Sequence, residues 1–284
     1  MNICSIQGGG TRGIMQTTIL DNLHYQPDLV AGTSVGAMIA AALALNIPMS
    51  QGTQFFLQQA PNIFSGQWWI PISRLWSPAK YSSSNLQVAL TSILGDATLA
   101  DCKIKFIATA FEMNTGRITY FQSYDSSSED IDEIVIGPDS NISLVDVCMA
   151  SCAAQSYFPA HTWNNYKFWD GGSSGFNAPD MLAISEAKLF SPLAEIKMLS
   201  LGNGRTPWPY KDADMTNPNL MTMLNATLDI AYFGPECAMV WLAREELGAN
   251  YTRINPVIPD FAIDDASLPT LVAMQSAALE AITV

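Results

Sequence analysis

Short apolar runs alternate along the chain with longer stretches in which apolar residues return every three or four positions. Runs bounded by Gly, Pro, Asp or Asn predict strands near residues 2–6, 28–31, 104–110, 117–121 and 196–201, with a further short strand near 166–168. The three-and-four spacing predicts helices near 14–23, 36–46, 84–94, 143–154, 178–189, 220–247 and 267–281. Strands alternating with helices imply a mostly parallel sheet covered on both faces, that is, an α/β fold arranged as a three-layer α/β/α sandwich. The chain has 284 residues, 49% of them hydrophobic, and no repeats. Doubly wound sheets often reach this size as one unit, so a single domain over residues 1–284 is expected.

One of the predicted strand-to-helix turns carries chemistry. Gly32-Thr33-Ser34-Val35-Gly36 sits between the apolar stretch 29–31 and the alanine-rich run 37–45. A G-x-S-x-G at such a turn puts the serine on a sharp bend, at the N-terminus of the following helix, where the dipole and free N–H groups stabilise negative charge. Ser34 is therefore a candidate nucleophile. Five residues with two free positions also match ordinary glycine-rich turns, so the weight comes from two other features.

The first is Gly8-Gly9-Gly10-Thr11-Arg12-Gly13, between the strand at 2–6 and the helix at 14–23. Consecutive glycines leave backbone N–H groups free to converge on an anion, as an oxyanion hole requires, and Arg12 could support that charge or brace the loop. Gly8, Gly10 and Gly13 also satisfy G-x-G-x-x-G, so a dinucleotide-binding reading stands beside the hydrolytic one. That reading wants an acid at the end of the second strand, which here ends in Gly32-Thr33-Ser34, with Asp28 preceding it. A phosphate-binding Walker loop is excluded because Ile14 and Met15 stand where Lys and Ser/Thr are needed.

The second feature is Trp169-Asp170-Gly171-Gly172. Only His24 and His161 occur in the chain and both precede Asp170, so the order Ser, Asp/Glu, His of the α/β-hydrolases cannot be completed with Asp170 as its acid. A desolvated aspartate has a raised pKa and can take a serine proton without an imidazole between them. His161, with Asp146 as an earlier acid, is the other route to a base, although a lone histidine beside apolar residues is more often structural.

With these three motifs in this order the chain resembles the patatin-like phospholipases. That family is marked by a G-G-G-x-R-G oxyanion loop, a G-x-S-x-G nucleophile and a D-G-G/A aspartate. The likeness continues through residues 108–116, Ala150-Ser151-Cys152-Ala153-Ala154, Tyr157-Phe158-Pro159, Leu199-Ser200-Leu201-Gly202 and residues 263–267. The resemblance implies Ser34 as nucleophile and Asp170 as base. It implies an oxyanion hole from Gly9, Gly10, Thr11, Arg12, Gly13 and Val35, with Gly8, Gly32, Gly36, Gly171 and Gly172 as motif glycines. The expected activity is cleavage of fatty acyl esters of phospholipids or other glycerolipids, with no cofactor and no metal. A thioesterase or acyltransferase using the same serine is the alternative.

Charge bears on the partner. The formal net charge of −13 disfavours nucleic acid, and residues 1–95 carry +1 of it against −14 for the remainder. No Asp or Glu occurs between Leu29 and Gly95. Within that window residues 61–81 hold Trp68, Trp69, Arg74 and Trp76, a composition suited to the lipid headgroup level, and we read the segment as an aromatic lid beside Ser34 that makes transient contact with a membrane surface. Packing of these tryptophans onto the core is the competing expectation. No signal peptide or membrane-spanning run is recognisable, and the five cysteines lack C-x-x-C spacing, which points to a cytoplasmic chain with reduced thiols.

Overall fold

The strand β1 (Asn2–Ile6) occupies the middle of the sheet, buried from Ile3 onward, and everything that follows is placed relative to it. It pairs in parallel with β2 (Leu29–Thr33) on one side and with β8 (Lys197–Leu201) on the other. Outward from β2 lie β3 (Lys105–Glu112), in parallel, then β4 (Arg117–Gln122), antiparallel, and β5 (Glu133–Ile136), parallel to β4. Outward from β8 lies β9 (Tyr251–Ile254), in parallel. The antiparallel pair β6 (His161–Trp163) and β7 (Tyr166–Asp170) branches from the end of β3, where Ala110 faces Asp170. The computed structural model describes residues 1–65, 79–125, 132–192, 195–211 and 216–283.

Alternate residues of the central strands serve opposite faces, as a two-residue side-chain period demands. Cys4, Ile6, Val30, Phe106 and Phe121 enter the larger core with α1 (Gly13–Leu23), α2 (Val35–Ala44), α3 (Met49–Ile63), α4 (Ser83–Leu94), α5 (Leu144–Ser151) and α8 (Leu268–Thr283). Ile3, Leu29, Ala31 and Ile107 enter the smaller core, with Ala183, Ile184 and Ala187 of α6 (Asp180–Phe190) and Ala243 of α7 (Leu220–Leu247). The expected mostly parallel sheet with helices on both faces is the observed one.

Among the described residues, one α-helix and three strands have no counterpart in the sequence expectation. Helix α3 was hidden by Gly52 and by Pro61 in its last turn, both of which lower helix propensity. Gly52 lies so near Thr17 of α1 that an added Cβ would stand 2.9 Å from it, so this glycine serves helix–helix approach. Strands β5, β6 and β9 are three or four residues long, too short for a period to declare itself, and they owe their state to pairing.

The segment expected to form a lid begins inside α3. Its two flanks meet, because the rings of Phe64 and Tyr81 are 5.3 Å apart, edge to face, and both touch Phe158. Trp68, Trp69, Arg74 and Trp76 lie outside the described residues. Among the described residues no helix is long and apolar enough to cross a membrane.

Candidate active site

The parallel register brings three loops to one end of the sheet. Ile6 faces Gly32 and Thr33 faces Thr109, so the glycine loop after β1, the turn after β2 and the end of β7 emerge side by side.

Ser34 leaves β2 with φ 54° and ψ −128°. That backbone costs a residue with a side chain on the order of 1–3 kcal/mol and persists only when its surroundings hold it. The holding is visible. The Ser34 N–H donates to Ser151 Oγ at 2.8 Å, and Ser151 in turn donates to the carbonyl of Thr109 at 2.7 Å. A Cβ on Gly32 would overlap the carbonyl of Gly36, and one on Gly36 would overlap the carbonyl of Ile6. The flanking glycines therefore let the turn press against its own first helical turn and against β1. Helix α2 begins at Val35, and the N–H groups of Val35 and Gly36 have no acceptor among the described residues, whereas that of Ala37 is bound to Ser34 O at 2.9 Å.

Asp170 ends β7 and is 4% exposed. Burial pushes its pKa up to about 6, while the nearby Ser34 hydroxyl and the 2.7 Å bond from the Gly172 N–H to Oδ1 favour the carboxylate and limit the rise. The structure thus brings together the two side chains expected to act as a pair. Near them the Cys152 thiol is fully buried, which holds it neutral, far above the usual thiol range.

The glycine loop is more committed than its sequence suggests. The Gly8 N–H donates to Asn177 O at 3.1 Å, that of Thr11 to Ile263 O at 2.8 Å, that of Arg12 to Gly9 O at 3.2 Å, and that of Gly13 to the carbonyls of Gly10 and Thr11. Among the described residues only the N–H groups of Gly9 and Gly10 in this loop have no acceptor. The N–H groups of Thr11, Arg12 and Gly13, expected among the oxyanion donors, are thus engaged within the fold. Thr11 and Arg12 instead anchor the loop, through Thr11 Oγ1 to Ile263 O at 3.1 Å and Arg12 Nη2 to Phe261 O at 2.5 Å, with burial lowering the guanidinium pKa. Gly13 lets α1 approach Phe56 and Val35, and Gly171 lets the turn after Asp170 approach Thr109. Gly8 faces the nucleophile, since a Cβ there would lie 3.0 Å from Ser34 Cβ. The span 261–263 lies against the start of α1, over the helix end that a dinucleotide would need.

Several contributing residues carried no signal in the sequence. Asn177 holds Gly8 through its main chain, crowds Gly172 through Oδ1, and donates from Nδ2 to Glu236 Oε2 at 3.0 Å. Asn203 donates to Gly8 O at 2.6 Å. From α7, Tyr232 donates to Gln155 Oε1 at 3.0 Å, Gln155 donates to Ser173 Oγ at 2.7 Å, and Pro235 packs on Gly175. Helix α7 therefore lies across the loop that follows Asp170. Next to Cys152 a small pocket is lined by Leu86, Met149, Ala153, Phe158 and His161 among others. His161 Nε2 sits 3.1 Å from Asp146 Oδ1, and among the described residues no hydrogen bond or ion pair joins it to Ser34 or Asp170.

The profile of the patatin-like phospholipases matches residues 4–183, a span that contains the glycine loop, Ser34 and Asp170, and the chain belongs to that family. It is similar to a protein of Pseudomonas aeruginosa named cGAMP-activated phospholipase, at 28% identity over 94% of this chain and 79% of the relative. It is also similar to Patatin-like protein 4 of Arabidopsis thaliana, at 27% identity over 90% of this chain and 76% of that protein. Among solved structures it aligns with VipD from Legionella pneumophila at 12% identity and a TM-score of 0.46, over 99% of this chain and 66% of that one.

Proposed function

We propose that the chain hydrolyses fatty acyl esters of phospholipids, or of the lysophospholipids derived from them, through a Ser34–Asp170 dyad and an acyl-enzyme intermediate. The observation that carries the reading is the nearness of the Ser34 hydroxyl to a buried carboxyl whose pKa stands at about 6. Ionised at neutral pH, Asp170 accepts the Ser34 proton as the oxygen attacks the ester carbonyl. The free N–H groups of Gly9, Gly10 and Val35 are the donors for the tetrahedral oxyanion, each worth on the order of 3 kcal/mol in such a role. The proton passes to the departing alcohol, and Asp170 then activates water to release the acyl group.

The test is mass-spectrometric analysis of free fatty acid and lysolipid released from phosphatidylcholine and lysophosphatidylcholine. Release by the wild type, lost in Ser34→Ala and in Asp170→Asn, is expected. Cleavage of acyl thioesters with all lipid esters left intact would move the reading to the thioesterase alternative.

A second proposal concerns control. The relative matched over 94% of this chain is named for activation by cGAMP, and α7 closes over the loop after Asp170 through Tyr232, Pro235 and Glu236. An enzyme that rests in this state needs an opening signal, and adding cGAMP to the lipid assay is expected to raise release at least ten-fold. Equal rates with and without it would dismiss that signal.

A further inference from the structure

Helix α7 has two faces of different use. Its inner side carries Tyr232, Glu236 and Ala243 toward the sheet and the loop after Asp170. Its outer side leaves large apolar residues in solvent: Leu220, Met223, Leu224, Ile230, Phe233, Trp241 and Leu242 are all 40% exposed or more. Trp208, 49% exposed, extends the patch by packing against Phe233 at 5.7 Å between ring centroids. Most of these side chains recur at helical spacing over 28 residues, roughly 42 Å at 1.5 Å per residue. From Leu220 to Ala243 the helix has two charged residues, and neither opposes an apolar surface. Asp229 accepts a hydrogen bond from Tyr210 at 2.6 Å, and Glu236 points inward to Asn177.

An apolar surface this large on one helix marks a partner surface. Two facts select the partner. The chain carries −13, so a second copy, equally charged, is repelled, as is an anionic leaflet, whereas a neutral bilayer is not. The same helix, on its inner side, packs Pro235 on Gly175 of the loop that follows Asp170, so whatever its outer side sits on lies close to the site. Because no described helix is apolar enough to span a bilayer, the geometry is that of a helix lying in the interface. We infer that the outer face of α7, with Trp208, is the surface by which this protein sits on a neutral phospholipid bilayer. The inference rests on the lipid-substrate reading above and adds where the lipid is met.

The experiment is flotation with vesicles of pure phosphatidylcholine, and with vesicles containing half phosphatidylglycerol, using the Ser34→Ala protein so that binding is read without turnover. A triple variant, Leu224→Asp, Phe233→Asp and Trp241→Asp in the same background, changes exposed positions only, and a thermal midpoint within a few degrees of its parent establishes that it is folded. The expected results are binding of the parent to phosphatidylcholine with a blue shift of tryptophan emission, weaker binding to the anionic vesicles, and at least a ten-fold loss in the triple variant. The inference is overturned if the parent ignores phosphatidylcholine vesicles or if the triple variant binds them equally well. It is also overturned if the parent is a dimer in solution that the triple variant converts to monomers, which would make the patch a contact between copies. Vesicle binding alongside full lipid hydrolysis by Ser34→Ala would leave this inference intact and sink only the dyad.

Discussion

Ser34 and Ser151 are joined by a 2.8 Å hydrogen bond from the main chain of the first to the hydroxyl of the second, and this bond ties the strained turn to β3 through Thr109 O. Ser151 is fully buried, so its removal strands an N–H and a carbonyl away from water. Ser151→Ala is expected to cost about 2 kcal/mol of stability from these unmet groups. It is also expected to lower kcat about ten-fold with KM little changed, because a misplaced nucleophile harms the reacting geometry rather than binding. Chemical denaturation and steady-state kinetics on one preparation check both.

In the proposed mechanism Ser34 and Asp170 act on the same proton, so their removals are expected not to add. Ser34→Ala and Asp170→Asn should each lower kcat on the order of 10³-fold, and the double variant should lose no more than the worse single one. A double variant whose loss is the product of the two would show that they work independently.

The pKa of Asp170 gives two pH dependences of opposite sign. Activity needs the carboxylate, so kcat/KM should rise about ten-fold per unit below pH 6 and level off above it. Stability runs the other way. The folded state, at about 6 against 3.8 for the ordinary group, binds this proton more tightly than the unfolded chain. The contribution is therefore fully present below about pH 4 and lost as pH rises through 6, on the order of 3 kcal/mol. Asp170→Asn, which keeps the shape without the charge, should melt above the wild type at pH 7.5, and the difference should vanish toward pH 4. Melting curves of the two proteins across that range read it directly.

Two glycines make a matched pair of tests. Gly36→Ala drives a methyl group into the carbonyl of Ile6 in the central strand and should destabilise by about 3 kcal/mol. Gly234→Ala, in α7 with nothing within 4 Å of the added carbon, should stabilise by roughly 0.5–1 kcal/mol through helix propensity alone. Urea midpoints of the two variants decide whether close approach is what the turn requires of Gly36.

Legibility in the sequence followed how local the physics was. The turn around Ser34, the glycine loop and Asp170 could be read because each is a short run whose residue types are dictated by its own backbone. Helix α7 was bounded correctly by its period, yet its two faces could not be told apart, since the inner one is defined by Asn177 and Gln155 from elsewhere in the chain. Ser151, Asn177 and Asn203 were invisible as site residues for the same reason. An Asn or Ser that satisfies a distant N–H or carbonyl looks like any other polar residue. That the Thr11 N–H is already engaged depends on Ile263, some 250 positions away, whose carbonyl accepts it. Asp264 and Asp265, adjacent and alike in sequence, divide in the fold. Asp265 accepts from Ser267 N–H and Thr270 Oγ1 at the start of α8, while Asp264 pairs with Lys80 and Tyr81.

The most direct test of the central claim is covalent labelling by a fluorophosphonate, followed by intact mass and peptide mapping. One adduct per chain, on Ser34, formed at least a hundred-fold more slowly in Asp170→Asn, is the predicted result. An unlabelled Ser34, or an Asp170→Asn protein labelled as fast as the wild type, would contradict the account.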